Sequence, residues 1–405
     1  MTLITLRRVF FGLASVAAIS FSTTTIAQSI KIGSLSAVTG PIAKLVPPII
    51  DGEQMAINEV NAAGGILGGK KLELVVGDTQ CNAQASIDSA NKLVNVEQVV
   101  AIVGALCSGA TIGAANNVAI PANVVMVSPA STSPEITGLK DNDLLFRVAP
   151  TDAYQGKVLA NYVKAKGIKS VAITYVNNDY GVGLAETFSA AFSAAGGKIT
   201  GQQKHEDKKA SYRAELATLA KGNPDALVVL AYAGSSGLTI LRQSLENGFF
   251  KMFVGTDGMR DKVLIEKLGE SSLKDKLLII SPTSPKSKER TAFDKAAKAA
   301  GVNPNGPFVA QGYDAAMMIA LAIQKAGSAD RTKISAALRS IANPSGVNVG
   351  PGDWKKAANA IAAGKNINYN GASGPHDFDK AGDVGGVYAD YIIKGGDFVE
   401  KGMIE

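Results

Sequence analysis

The feature that most constrains the fold of this chain is a pattern written twice. In the first half, short apolar runs at Ile30 to Leu35, Leu72 to Val76, Val99 to Val103 and Val124 to Val127 are each followed by a turn signal and a helical period. In the second half such runs recur at Val171 to Val176, Leu227 to Leu230 and Met252 to Val254. Helical stretches over Leu184 to Ala195, Arg213 to Lys221 and Leu238 to Asn247 separate them. Near-continuous apolar runs imply strands buried on both faces, the condition of a parallel sheet covered by helices. A helix opening near Pro47-Pro48 suits proline in a first turn; it runs through Met55, Ile57 and Val60 and stops at Gly64-Gly65. Lys276 to Pro282 predicts a strand leading back toward the first lobe, with Pro282 and Pro285 marking a hinge-like connection. Arg290 to Ala300, Val309 to Ala326 and Thr332 to Ile341 read as helices, and Val387 to Ile393 as a closing strand. The expected fold class is α/β, two doubly wound Rossmann-like lobes joined by a hinge. The N-terminal lobe is assigned to 28–149 and 281–385, the C-terminal lobe to 150–280 and 386–405. A ligand in such a fold sits at the carboxyl ends of strands, so the site is expected between the lobes.

Composition narrows the function. The chain has 405 residues, 46% of them apolar, yet no apolar run beyond the N-terminus approaches the roughly 20 residues of a membrane span. The net charge of +6 is spread along the chain beside a single Trp, which gives nucleic acid no concentrated basic footprint. Residues 1–27 read as a secretory signal: Arg7-Arg8 as the positive region, Val9 to Phe21 as a core too short to span, and Thr25-Ile26-Ala27 as the cleavage site. Cleavage after Ala27 leaves Gln28 first, with no cysteine there to accept a lipid anchor, and predicts a periplasmic protein. The two cysteines, Cys81 and Cys107, are then read as a disulfide, since an isolated pair in an oxidising compartment tends to be bridged. Such a bridge adds about 3 to 4 kcal/mol on the loop-entropy account.

Catalytic and cofactor motifs are weak. Gly64-Gly65 with Gly68-Gly69-Lys70 lies between a helix end and a strand, the wrong order for a phosphate loop. Gly181-Val182-Gly183 has Glu186 where a dinucleotide fingerprint needs its third glycine, and reads as a loop opening a helix. Ser271 and Lys274 form an SxxK without its SDN or KTG partners. The only histidines, His205 and His376, are spaced neither for zinc nor for a serine triad. No enzyme, no metal and no cofactor are expected. The informative segments are three strand-end loops rich in small hydroxyl residues: Cys107 to Thr111, Ser128 to Glu135 and Gly255 to Gly258. Backbone N–H groups and hydroxyls suit an anion and a carboxylate suits a cation, which together match an amino-acid zwitterion. Taken singly, Ser108 and Thr132 could equally be helix caps; their combination with Asp257 in the other lobe favours the site.

At these loops the sequence resembles the branched-chain amino acid (Leu/Ile/Val) binding proteins, type I periplasmic receptors that feed ATP-driven importers. The resemblance spans 28–405 and shows in Ile32-Gly33 through Thr39-Gly40-Pro41, in Asn58 to Ile66, in Gly77 to Cys81 and in Gly104 to Ser108. It continues through Ser128 to Ile136, Asp179-Tyr180-Gly181, Gly255 to Gly258, Gln311 to Ala315, and Tyr369 to Asp379 with Gly382. It implies the type I periplasmic binding protein fold, a Cys81–Cys107 disulfide, and a ligand carboxylate bonded by Ser108. Ala130 and Thr132 would hold the carboxylate and ammonium, Asp257 would pair with the ammonium, and Tyr180 would close over the ligand from the second lobe.

Asp257 stands where the Leu/Ile/Val binder has Glu, and Leu45 where it has tyrosine; Phe308 aligns with a pocket phenylalanine. Near Ala231-Tyr232-Ala233 the tyrosine is displaced by one residue, which within a strand would turn it to the other face. The resulting expectation is a monomeric extracytoplasmic receptor that binds an amino acid, branched-chain by preference, in an interlobe cleft. It would deliver that ligand to an ABC permease in the inner membrane. The alternatives are the same fold holding another amino acid, an amide or an aromatic acid, or a ligand-sensing subunit.

Overall fold

The computed structural model describes residues 1–2, 29–342 and 345–404. Apart from Met1 and Thr2, the signal segment and its cleavage point lie outside the described residues. Among the described residues, fourteen strands form three sheets. The first half supplies β1 (Ile30–Ser36), β2 (Leu72–Asp78), β3 (Ile102–Gly104), β4 (Met126–Ser128) and β5 (Leu145–Arg147). They make an all-parallel sheet in the order β2-β1-β3-β4-β5. Next come β6 (Ser170–Val176), β7 (Lys198–His205), β8 (Ala226–Leu230), β9 (Phe253–Gly255) and β10 (Leu277–Thr283). After β11 (Val347–Val349) and β12 (Ile367–Tyr369), a small parallel pair, the chain ends in β13 (Val387–Lys394) and β14 (Asp397–Ile404). The second large sheet runs β14-β13-β10-β9-β8-β6-β7, with β13 and β14 added antiparallel.

The two sheets repeat one topology. In the first, β1 lies between β2 and β3; in the second, β6 lies between β7 and β8. Each sheet therefore reverses its winding once, and the crevice outside that reversal is where α/β sheets take ligands. The central strands are apolar throughout: β3 and β8 are buried at every residue. The edge strands β7 and β14 are not, alternating exposed and covered positions, and they carry no continuous apolar run that would mark them in sequence. The expected lobe boundary at residue 281 falls inside β10, which stays in the second sheet through Thr283.

Helices cover the sheets: α1 (Val46–Ala62), α2 (Ala83–Asn91), α3 (Ser108–Ala114), α4 (Pro134–Thr137), α5 (Asp152–Ala165) and α6 (Asp179–Ala194) are the first six. Prolines 47 and 48 sit in the first turn of α1, whose end is followed by Gly64 and Gly65 at positive φ. The long helix over Val309–Ala326 is buried from Val309 through Ile323 because its neighbours enclose it. Glycine permits its close contact with α1: a Cβ on Gly52 would lie 2.2 Å from the Val309 carbonyl oxygen, and one on Gly312 2.5 Å from that of Ile49. That contact fixes Ile49 and Phe308, which matter below. Cys81 and Cys107 are disulfide-bonded, with Cα atoms 5.4 Å apart, tying the loop after β2 to the loop that leads into α3.

Candidate functional site

The strand-end loops of both sheets converge on one cavity. From the first sheet it is lined by Leu106, Cys107 and Ser108 after β3 and by Ala130 and Thr132 after β4. From the second come Tyr180 after β6, Tyr232 after β8, and Asp257 with Gly258 after β9. Ile42, Leu45, Ile49 and Phe308 complete an apolar end. All of Ser108, Ala130, Thr132, Tyr180 and Asp257 are thus brought together, around a small void of about 30 Å³. A larger opening of about 460 Å³ along the 282–290 crossing shares only Phe308 with it and is lined mostly by polar and charged side chains.

The first-sheet wall is held from behind. Ser108 Oγ accepts from Ser133 N–H at 3.2 Å, which joins the start of α3 to the 128–133 loop. Ser128 Oγ donates to the Ala105 carbonyl at 2.6 Å and accepts from Ser131 N–H at 3.0 Å; Thr111 and Ser131 share a hydroxyl contact at 2.6 Å. Arg147, fully buried, gives Nη1 to the Ser133 carbonyl at 2.8 Å and binds both oxygens of Asp383, at 2.5 and 2.9 Å. A buried charge needs such a partner, and the pair anchors the loop from a residue 236 positions away in sequence.

The second-sheet wall carries charge. Asn178 caps α6 by accepting from Gly181 N–H at 2.9 Å, and a Cβ on Gly181 would lie 2.1 Å from the Val176 carbonyl oxygen. The Asn-Asp-Tyr-Gly run therefore seats the helix start tightly on β6 and aims Tyr180 at the cavity. The Tyr180 hydroxyl lies 2.8 Å from Thr256 Oγ1, donates to Asp257 Oδ1 at 3.3 Å and accepts from Gly258 N–H at 3.3 Å. Gln155 Nε2 donates to the same Asp257 oxygen at 2.9 Å. Burial pushes the carboxyl of Asp257 above its ordinary range, and burial with the charge of Asp257 pushes Asp152 well above its own.

Tyr232 corrects an expectation. Displacement by one residue was to turn it away from the pocket; instead it lines the cavity and stacks on Tyr180, ring centroids 5.2 Å apart. The physical reason is that β8 ends at Leu230, so strand alternation no longer governs residue 232. Asp152 and Gln155 went unnoticed in the sequence, because Thr151-Asp152 before a helix reads as ordinary capping chemistry, and Thr151 does accept from Ala153 N–H. Ile42, Ile49 and Leu106 carried no signal beyond being apolar.

The histidines stand apart from this cavity. His205 is hydrogen-bonded to Thr174 and Ser236, and burial lowers it to about 4. His376 and Ser373 both bond Asp314, so the hydroxyl faces the acid and not the imidazole, the wrong order for a nucleophile and its base. Among the described residues no group of His, Cys, Asp and Glu could hold a metal ion.

A disulfide-tied, two-sheet molecule with a polar and apolar cavity between the sheets is the architecture of solute receptors. The sequence model of the periplasmic binding protein family matches residues 29–384. The chain belongs to that family. Periplasmic binding proteins of this family are receptors of importers and not enzymes. The chain is 32% identical over 82% of its length, and 88% of the relative's, to a leucine-, isoleucine-, valine-, threonine- and alanine-binding protein of Pseudomonas aeruginosa. A leucine binding protein from Thermotoga maritima superposes with a TM-score of 0.78 at 28% identity, covering 93% of this chain and 99% of that one. A branched-chain amino acid transporter substrate binding protein from Streptococcus pneumoniae, in complex with isoleucine, superposes at 0.76 with 26% identity, covering 92% and 100%. No helix among the described residues is long and apolar enough to cross a membrane.

Proposed function

We propose that the protein is an extracytoplasmic receptor that binds an aliphatic amino acid between its lobes and delivers it to an ABC permease of the inner membrane. The observation that carries this reading is the division of one cavity into a polar end and an apolar end drawn from both sheets. The ligand carboxylate would meet the Ser108 hydroxyl, the Ala130 N–H and Thr132; the ammonium would meet Thr132 and Asp257, with Tyr180 above. Ile42, Leu45, Ile49, Leu106 and Phe308 would receive the side chain, and Leu45 leaves that end without the hydroxyl a tyrosine would bring. Charged ligand groups removed from water require paired partners, and this arrangement supplies one for each. The lobes, 28–149 with 284–385 and 150–283 with 386–405, would open when empty and close on the ligand, reporting occupancy to the permease. We assign the working form as a periplasmic monomer released after Ala27. The names of its relatives, which include leucine, isoleucine and valine binders, support the ligand class.

The test is thermal unfolding of refolded, ligand-stripped 28–405 against leucine, isoleucine, valine, other amino acids, small amides and benzoate. A ligand at 100 times its Kd stabilises by about 2.7 kcal/mol. A shift with the aliphatic amino acids supports the reading; a shift with benzoate or an amide alone replaces the ligand class and keeps the receptor.

A further inference from the structure

Behind the cavity lies a set of buried polar atoms that zwitterion recognition by Ser108, Thr132 and Asp257 does not use. Asp152, the first residue of α5, is fully buried, and the Thr132 hydroxyl is the side-chain group that bonds its carboxylate. Its backbone N–H donates to the Thr132 carbonyl at 2.8 Å, which places it directly behind the loop of the ammonium subsite. One turn on, Gln155 gives its amide N–H to Asp257 and leaves its own Oε1 unpartnered. Residues three apart share a helix face, so α5 turns an acid and an amide N–H toward Asp257. The hydroxyl of Tyr388, on β13, is buried and unpartnered beside them.

The charges around Asp152 do not balance. Asp257 faces it from the loop after β9, and Arg147 faces it from β5, but both oxygens of Asp383 already hold that guanidinium. Tyr180, Tyr232 and Tyr388 are driven toward their neutral forms by burial and by the two acids. Arg260 also faces Asp257, but its guanidinium stacks on Tyr391 and donates to the Asn305 carbonyl, and among the described residues no salt bridge joins it to either acid. Two neighbouring buried carboxylates without a paired cation cannot both ionise cheaply, so the pair retains a proton.

We propose that Asp152 is a second acid of the ammonium subsite, sharing the ligand's positive charge with Asp257, and that binding of a protonated amine expels one proton from the acid pair. The inference rests on the amino-acid ligand proposed above. The O–H bond of the protonated carboxyl breaks, its proton leaves to buffer, and the incoming R–NH3+ keeps all three of its own. Thr132 and Asp257 then accept from the ammonium directly, while Asp152 adds its charge from behind Thr132, which selects protonated amines over neutral solutes of the same shape.

The experiment is titration calorimetry of leucine in two buffers of different ionisation enthalpy at neutral pH, on the wild type, Asp152→Asn and Asp257→Asn. The wild type should release up to about one proton per ligand. Asp152→Asn should bind roughly tenfold or more weakly and release fewer protons. Unchanged affinity or an unchanged proton count in Asp152→Asn, beside a disabled Asp257→Asn, overturns the role of Asp152 and leaves the receptor reading intact. A wild type that binds no aliphatic amino acid sinks both. Should Asp152→Asn fail to fold, infrared difference spectra of the wild type decide: loss of a protonated-carboxyl band on leucine binding supports the proposal, and its absence overturns it.

Discussion

The two walls of the cavity are built on opposite principles. The first-sheet wall is neutral at the cavity surface, and its loop is cross-braced by hydroxyl and backbone bonds and by the Arg147–Asp383 pair. The second-sheet wall presents a buried carboxylate, Asp257, with the buried Asp152 close behind the cavity. A braced, neutral wall presents donors at little reorganisation cost, whereas a crowded acidic wall is unfavourable until a cation arrives. On the proposed function, the ligand carboxylate would meet the first wall and the amine chiefly the second, whose energy would then change most on binding.

That contrast can be broken at its strongest point by Asp257→Ala, which should cost about 2 to 5 kcal/mol of amino-acid affinity, as truncated buried charge pairs do. Calorimetry showing unchanged affinity would remove Asp257 from the site. On the braced wall, Ser108→Ala deletes a neutral donor to a charged oxygen and should cost about 1.5 to 3 kcal/mol, measured in the same way. Equal losses at the two positions would erase the distinction between the walls.

A third acid sharpens the comparison because it lies outside the cavity. Glu53 in α1 is fully buried beside the Ser34 hydroxyl, and burial raises it to about 8. Unfolding lets it ionise near its usual value of about 4.3, so between there and pH 8 the folded state holds the extra proton. Stability from this group is present at acid pH and falls as pH rises through that window, by at most about 1.4 kcal/mol per pH unit. Glu53→Gln should therefore gain stability over the wild type progressively from pH 5 to 8 in denaturant titrations, while leucine affinity stays the same. Changed affinity would show that buried acids act on the ligand irrespective of wall. The smallest effect is expected from Tyr180→Phe, which removes the hydroxyl between Thr256 and Asp257 and keeps the stack on Tyr232. A loss of about 0.5 to 1.5 kcal/mol in affinity is expected, the worth of an ordinary hydrogen bond.

The walls also differed in how legible they were. Ser108, Thr132 and Asp257 could be singled out because each follows a buried parallel strand, and continuous apolar runs such as those at β3 and β8 announce where the chain turns into the crevice. Ala130 and Tyr180 entered only through the family resemblance. Edge strands β7 and β14, half covered and polar, lacked that signal. Arg147 and Asp383 meet across 236 residues, a pairing that no local pattern reveals. Asp152 and Gln155 look like the start of any helix, and only their burial beside Asp257 distinguishes them. Tyr232 was misjudged because alternation was extended past the point where β8 stops.

The most direct test of the two-wall account is calorimetric comparison of leucine with its two truncated forms, 4-methylpentanoate lacking the amine and isopentylamine lacking the carboxylate, on ligand-stripped protein. The account predicts that leucine binds and that each analogue loses roughly tenfold or more in affinity, the amine-less acid losing most. Binding of 4-methylpentanoate as tight as that of leucine would contradict it, because the acidic wall would then have no cation to receive.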